Sequence, residues 1–293
     1  MFEGLEGVAQ PGHEESYEPG TQAYDQSLVE ELVTTYIEST GSGSKWALFN
    51  LQYSLFSHLF NSQVEETLIP RLKHTSGLDA QAFLDAVVAR LGAGAEQAQL
   101  SQADIFLSPL IRALYESGHS ELALNIASFG VPVDEIANRI SGTEERPLSL
   151  VCMLGRNLEG FDANSAGMSS RHCAIDVRGS VGNVGASSFH SSFILRGLAG
   201  RIGFYSSFCT YRLPRAEVLG LEAVTEKKVV PTELPYSCGA EVLQIEEEPL
   251  FRLSLRHEEG VAYTYLDGTF FDEARGNRLL VPDGSGGWTE VRP

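Results

Sequence analysis

Two histidines, His172 and His190, stand eighteen residues apart in a stretch where the chain repeats itself. A pair of imidazoles brought one above the other can hold a transition metal, with Asp176 as an added oxygen ligand. The same register puts Phe208 in the third position, and no further ligand recurs with it. An outward ladder of rings accounts for the pair without a metal, and that reading is preferred. His172 is followed by Cys173, but neighbouring strand residues point to opposite faces, so no nucleophile–base pair is expected there. Arg178 and Arg196 recur at the same spacing beside glycines, where backbone amides and guanidinium groups favour an anion. Tight corners explain those glycines equally well. Gly41-Ser42-Gly43-Ser44-Lys45 lacks the spacing of a phosphate loop and reads as a linker. Glu246-Glu247-Glu248 reads as a solvated edge. No residue set forms a catalytic signature, and no cofactor is expected.

The elements that position these residues lie between Gly155 and Pro214. At a period of eighteen, Gly167, Gly185 and Gly203 form one column, and Ser170, Ser188 and Ser206 a second. Cys173, Ser191 and Cys209 follow, then Ile175, Phe193 and Tyr211, then Val177, Leu195 and Leu213. Fixed-period self-similarity of this kind marks a repeat architecture in which neighbouring copies stack. If Cys173–Gly179, Ser191–Gly197 and Cys209–Leu213 are stacked strands, alternation buries the last three columns. His172, Asp176, Arg178, His190, Arg196 and Phe208 then share the outer face. Eighteen residues suit a three-sided parallel β-helix of roughly six residues per side, with neighbouring turns about 4.8 Å apart. The glycines supply corners with positive φ, and the stacked serines bond along their column or to the corner backbone.

The run Gly179-Ser180-Val181-Gly182-Asn183-Val184-Gly185, followed by an alternating apolar strand, resembles the GXGXG β-helix of the glutamate synthase C-terminal region. It is also similar to repeat β-solenoids of archaeal proteins. The resemblance covers about residues 155–214, and its first turn is displaced by one residue. It implies a β-solenoid serving as a structural spacer and carries over no catalytic residue.

The rest of the chain divides around this stretch. Residues 1–24 are rich in Gly, Pro and Glu and read as a disordered acidic tail, with a docking peptide for a basic partner as the functional alternative. Residues 25–145 read as an α-helical domain. Leu28, Leu32, Val33, Tyr36 and Ile37 repeat at helical spacing, and Trp46 to Phe60 is apolar nearly all round, as in the central helix of a bundle. Further helices are predicted at Val64–His74, Leu78–Leu91, Ser101–Ser117, Ser120–Phe129 and Val133–Ile140. Residues 146–214 hold the repeats, opened by a strand at Leu148–Leu154. Residues 215–293 read as an antiparallel β-rich segment that packs on the repeats. It has one hairpin from Phe251 to Leu266, a turn at Asp267-Gly268, and a second hairpin from Leu279 to Val291. The fold class is therefore α+β and multidomain: a helical bundle, a short β-solenoid and a β-rich cap.

Composition narrows the function. The net charge is −18, and lysine occurs only at positions 45, 73, 227 and 228. Phosphate-backbone binding needs a basic surface, so nucleic acid is excluded as a partner, and anionic membranes are disfavoured. An acidic, lysine-poor chain fits a salt-adapted host, although a GC-rich genome depletes lysine too. No apolar run reaches the ~20 residues of a membrane span, and the start lacks a basic signal-peptide region. A cytoplasmic protein is expected. Four cysteines without a C-x-x-C pair suggest neither a disulfide framework nor a zinc ribbon. The expected function is a non-enzymatic structural or protein-interaction scaffold that binds a protein partner or itself. The alternative is an enzyme or enzyme subunit with a site between the helical domain and the solenoid, using His172, His190 and Arg178 or Arg196.

Overall fold

The computed structural model describes residues 24, 26–40, 68–74, 78–155, 161–214, 216–218, 251–253, 263–264, 270–271 and 276–291. Expectations for the tail, for residues 41–60, for the acidic run at 246–248 and for Cys238 lie outside the described residues.

The amino-terminal part is helical: α1 (Gln26–Thr40), α2 (Ile69–His74), α3 (Ala80–Gly94), α4 (Gln97–Leu100) and α5 (Asp104–Glu116). α1 buries Leu28, Leu32, Val33 and Tyr36, the apolar stripe read from its spacing. Tyr36 stacks on Phe106 of α5 and donates its hydroxyl to the carbonyl of Gln99, tying the first helix to the last. α3 starts at Asp79, whose carboxylate accepts from the Ala82 amide, satisfying one of the amide groups a helix start leaves unpaired.

Among the described residues fifteen strands follow: β1 (Glu121–Asn125), β2 (Val133–Ile136), β3 (Leu148–Met153), β4 (Ala163–Ala166), β5 (Cys173–Arg178), β6 (Val181–Val184), β7 (Ser192–Leu195), β8 (Ala199–Ile202), β9 (Thr210–Arg212), β10 (Ala216–Val218), β11 (Phe251–Leu253), β12 (Tyr263–Thr264), β13 (Phe270–Phe271), β14 (Arg278–Pro282) and β15 (Trp288–Val291). The chain is a mixed α+β protein with two large, mainly parallel sheets. One runs β1-β3-β5-β7-β9-β14-β15, the other β12-β13-β8-β6-β4-β2. From β1 to β9 the chain visits the two sheets alternately. Within the repeats the register is eighteen: Ile175 pairs with Phe193 and Phe193 with Tyr211, while Val181 pairs with Ala199. A line of single bridges links Ser141, Arg171, Phe189 and Ser207 between the sheets.

The inward columns are those read from the sequence. Cys173, Ile175, Val177, Ser191, Phe193, Leu195, Cys209, Tyr211 and Leu213 are all buried, and Phe193 stacks on Tyr211 at 5.0 Å. The buried serines bond both along their column and to the backbone. Ser170 Oγ lies 3.1 Å from Ser188 Oγ, Ser188 donates to the carbonyl of Gly167, and Ser206 to that of Gly203. Gly185 has φ +61°, and a Cβ there would come within 2.8 Å of the Phe193 ring and the Tyr211 hydroxyl, so this corner requires glycine. Gly182 and Gly200 are not corners: they sit inside β6 and β8, where a Cβ would press on the carbonyl oxygen of the neighbouring strand.

Three expectations are corrected. The helices read at Ser120–Phe129 and Val133–Ile140 are strands β1 and β2 with a short 3-10 turn at Ala127–Phe129 between them. They add one more strand to each ladder, and Leu122 and Leu124 bury by alternation. Among the described residues the hairpin from Phe251 to Leu266 is not the pairing found: β11 pairs in parallel with β10, and β12 pairs antiparallel with β13. Nor do the terminal strands form a separate antiparallel sheet. β13 extends the ladder from β8 and β14 extends it from β9, both in parallel, and among the described strands only β12 and β15 reverse direction. The hairpin at Leu279–Val291 is present as read.

The opposite ends of both ladders meet the helices. The Gln81 side chain of α3 donates to the Ala123 carbonyl and accepts from the Ala123 amide, occupying the open edge of β1. The Ser101 carbonyl takes the Asp134 amide on the open edge of β2. Unpaired strand edges invite pairing with other chains, and the helices remove both.

Candidate functional site

His172, His190 and Phe208 stack as a ladder. The two imidazoles are 5.6 Å apart and 4° from parallel, and His190 lies 5.2 Å from Phe208 at 12°. Their backbones differ from the reading of a strand's outer face: φ is +48°, +48° and +56°. Each residue turns the corner into a strand instead of lying within it. A left-handed conformation costs a bulky L-residue roughly 1 kcal/mol or more, so the fold spends stability to present these rings. The pairing register places Gly142 before His172 in this column and Gly276 after Phe208. A Cβ on Gly276 would stand 3.0 Å from the Phe208 ring, which fits a column closed by a residue without a side chain.

Phe189 packs edge-on against His190 at 4.1 Å and against Phe208 at 5.8 Å. Phe189 is 39% exposed, and Tyr205 and Phe208 are each 57% exposed. With Trp288, these are the exposed large hydrophobic residues among those described; Phe189 and Phe208 touch each other, while Tyr205 sits at a separate positive-φ turn ahead of the Ser207 bridge. Among the described residues no group of three His, Cys, Asp or Glu side chains is placed to hold a metal ion.

Asp176 is engaged elsewhere. Its carboxylate takes Arg196 Nε at 3.0 Å and Arg178 Nη2 at 3.3 Å, so both recurring arginines share one acid. His172 precedes β5 and Arg178 ends it, which separates them by roughly 20 Å along an extended strand. The histidines and the arginines therefore do not converge. The three described cysteines are buried: burial raises the Cys152 thiol pKa and pushes that of Cys173 up to about 12, where no thiolate forms at neutral pH.

A polar cluster that the sequence reading missed lies where helices meet ladders. Asp104, at the start of α5, is buried. It accepts from the Ser108 hydroxyl at 2.6 Å and faces the Asn138 amide, while Glu135 of β2 takes the Asn138 side-chain amide. Burial, and after it the charge of Glu135, push the Asp104 carboxyl up to about 7 against the opposing hydrogen bonds. Burial raises Glu135 as well. The only sequence signal was an acid at a helix start, which normally stays ionised. Tyr115 closes the same joint: its hydroxyl donates to the Arg146 carbonyl, and the Arg146 guanidinium lies 4.2 Å over its ring.

Among the described residues no helix is long and apolar enough to cross a membrane. The chain matches no known protein family, no curated protein and no solved structure.

Proposed function

We propose that the chain is a non-enzymatic structural and interaction scaffold that associates with a second copy of itself through the aromatic corner. In this reading the two ladders are strand-bearing walls of one short β-solenoid, and the bridges at Ser141, Arg171, Phe189 and Ser207 are its third side. Alternate visits of the chain to the two sheets and the eighteen-residue register support that architecture. So does the resemblance to a β-helix that serves as a spacer. The observation that carries the function is the packing of exposed Phe189 against exposed Phe208 across two successive repeats, because contiguous exposed apolar surface marks contact sites. An enzyme site built from His172, His190 and Arg178 or Arg196 has less support, since those groups stand at opposite ends of their strands. Sedimentation velocity with chemical cross-linking tests the reading. A concentration-dependent dimer that persists at high salt, as an apolar contact requires, is expected; a strict monomer at every concentration and salt level refutes it.

A further inference from the structure

At the joint between the helices and the ladders, oxygen acceptors gather with few donors to meet them. Asp104 Oδ1 accepts from the Ser108 hydroxyl and faces the Asn138 main-chain amide, while Glu135 Oε2 takes Asn138 Nδ2. Asn138 is only 6% exposed, and its Oδ1 is buried with no hydrogen-bond partner among the described residues. Turning the amide over would set Oδ1 against the Glu135 carboxylate, acceptor on acceptor. Asn138 meets one acid through its main chain and the other through its side chain, so covalent geometry keeps Oδ1 within a few ångströms of both carboxyls. Gln102 Oε1, in the turn that leads into α5, is a second buried oxygen without a partner among the described residues. The surrounding charge adds to the excess of acid: Asp134 acts on Glu135 as a further carboxylate, opposed by Arg139. Nor does the repeat require this chemistry. In the column of Glu135 the later turns carry Ser165, Asn183 and Arg201, and the register of Asn138 falls on Met168. The acids and the amide are confined to the first turn, where α5 meets it.

We infer that Asp104, Glu135 and the Asn138 side-chain oxygen form a binding site for a hard divalent cation of the calcium class, which pins α5 to the first turn of the ladder. Calcium takes its oxygen ligands from carboxylates, amide carbonyls and water, in flexible geometry. Two ionised carboxyls held together away from water repel each other and are costly unless a proton or a cation joins them. Their joint charge matches one divalent ion, and that ion also meets the orphaned lone pairs of Asn138 Oδ1. The Cys152 thiol, which feels the Asp104 charge, is held protonated first by burial, so it offers no thiolate to a softer metal. Glu135 is half-buried, which gives the ion a way in and lets water complete its shell. The site needs fewer than three acidic groups because its remaining oxygens come from an amide and from solvent. It stands apart from the aromatic contact, and neither depends on the other.

Equilibrium dialysis and amide hydrogen exchange on the full chain test this, with Ca²⁺ alone as the probe. The protein is stripped with a chelator and measured at pH 8, above the value of about 7 to which burial, and after it Glu135, push Asp104. A background of roughly 0.1 M KCl screens ions held loosely on the acidic surface. A single saturable Ca²⁺ site per chain is expected, with exchange at the Asp104 and Asn138 amides slowed roughly two-fold or more as it fills. Asp104→Asn and Glu135→Gln each remove one ligand charge and should each weaken binding about ten-fold or more. Glu135 is half-buried, so its variant keeps the test open even if the Asp104 change unfolds the chain. No saturable binding overturns the inference, for a proton or a water then serves these oxygens. Binding of unchanged strength in either folded variant overturns it too, since the ion then sits elsewhere on an acidic chain. Tighter binding of Mg²⁺ than of Ca²⁺ overturns the calcium assignment, because Mg²⁺ demands a smaller, near-ideal octahedron.

Discussion

Replacing Asp104 by Asn should change how stability depends on pH, and the size follows from where the carboxyl sits. It is buried at the start of α5 under β2, bonded to Ser108 and the Asn138 amide, with Glu135 beside it and Asp134 and Arg139 beyond. Burial, the larger cause, and Glu135 hold it up to about 7 in the folded chain, against about 3.9 when unfolded. The folded state therefore binds the extra proton between about pH 4 and 7, and stability falls as pH rises through that window. Three units at 1.36 kcal/mol each give ~4 kcal/mol as the upper figure. Asp104→Asn keeps an acceptor for Ser108 and for the Asn138 amide but cannot ionise. Urea unfolding from pH 4 to 8 should show the two chains nearly equal at the acid end and the Asn variant more stable by a few kcal/mol at pH 8. Glu135, also raised by burial, leaves both chains a residual slope of the same sign. Parallel profiles for the two chains would refute the argument.

Gly185→Ala places a methyl group against the Phe193 ring and the Tyr211 hydroxyl at a left-handed corner. Overpacking there should cost ~1–3 kcal/mol and lower the thermal midpoint, whereas the strand glycine Gly200 should tolerate only a shift of its neighbour's carbonyl. Gln81→Ala strips the amide and carbonyl of Ala123 of their side-chain partner at the edge of β1. A loss of ~1–3 kcal/mol is expected, with faster amide exchange at Ala123 as the local readout. Phe193→Ala removes a fully buried ring from the stack and should cost ~3–5 kcal/mol by chemical denaturation.

The inner columns were legible because period and alternation are both recorded in residue type: Ile175, Phe193 and Tyr211 cannot face water, and Gly185 cannot be anything larger. The extra pair of strands at the start was not, although Ala137-Asn138-Arg139-Ile140-Ser141-Gly142 occupies the register of Gly167 to His172. Ala stands in the glycine column and Ile in the serine column. The intervening loops stretch the register from eighteen to thirty between Val133 and Ala163, which hides the copy. Leu122 and Leu124 alternate as a strand should, but Ala123 and Ala127 between the apolar residues give the run a helical look. The ring ladder was visible as spacing, while its corner position was not, because a left-handed His or Phe leaves no mark in the sequence. The Asp104 cluster is illegible for another reason: its partners Glu135 and Asn138 meet it only through packing.

The contact surface itself is tested most directly by sedimentation velocity of the full chain against a Phe208→Ser variant. The Phe208 side chain is more than half exposed, so the variant should fold as the parent does, with an unchanged circular dichroism spectrum. The account predicts that the parent's concentration-dependent dimer is lost in the variant. A dimer of undiminished strength in the folded variant would contradict it.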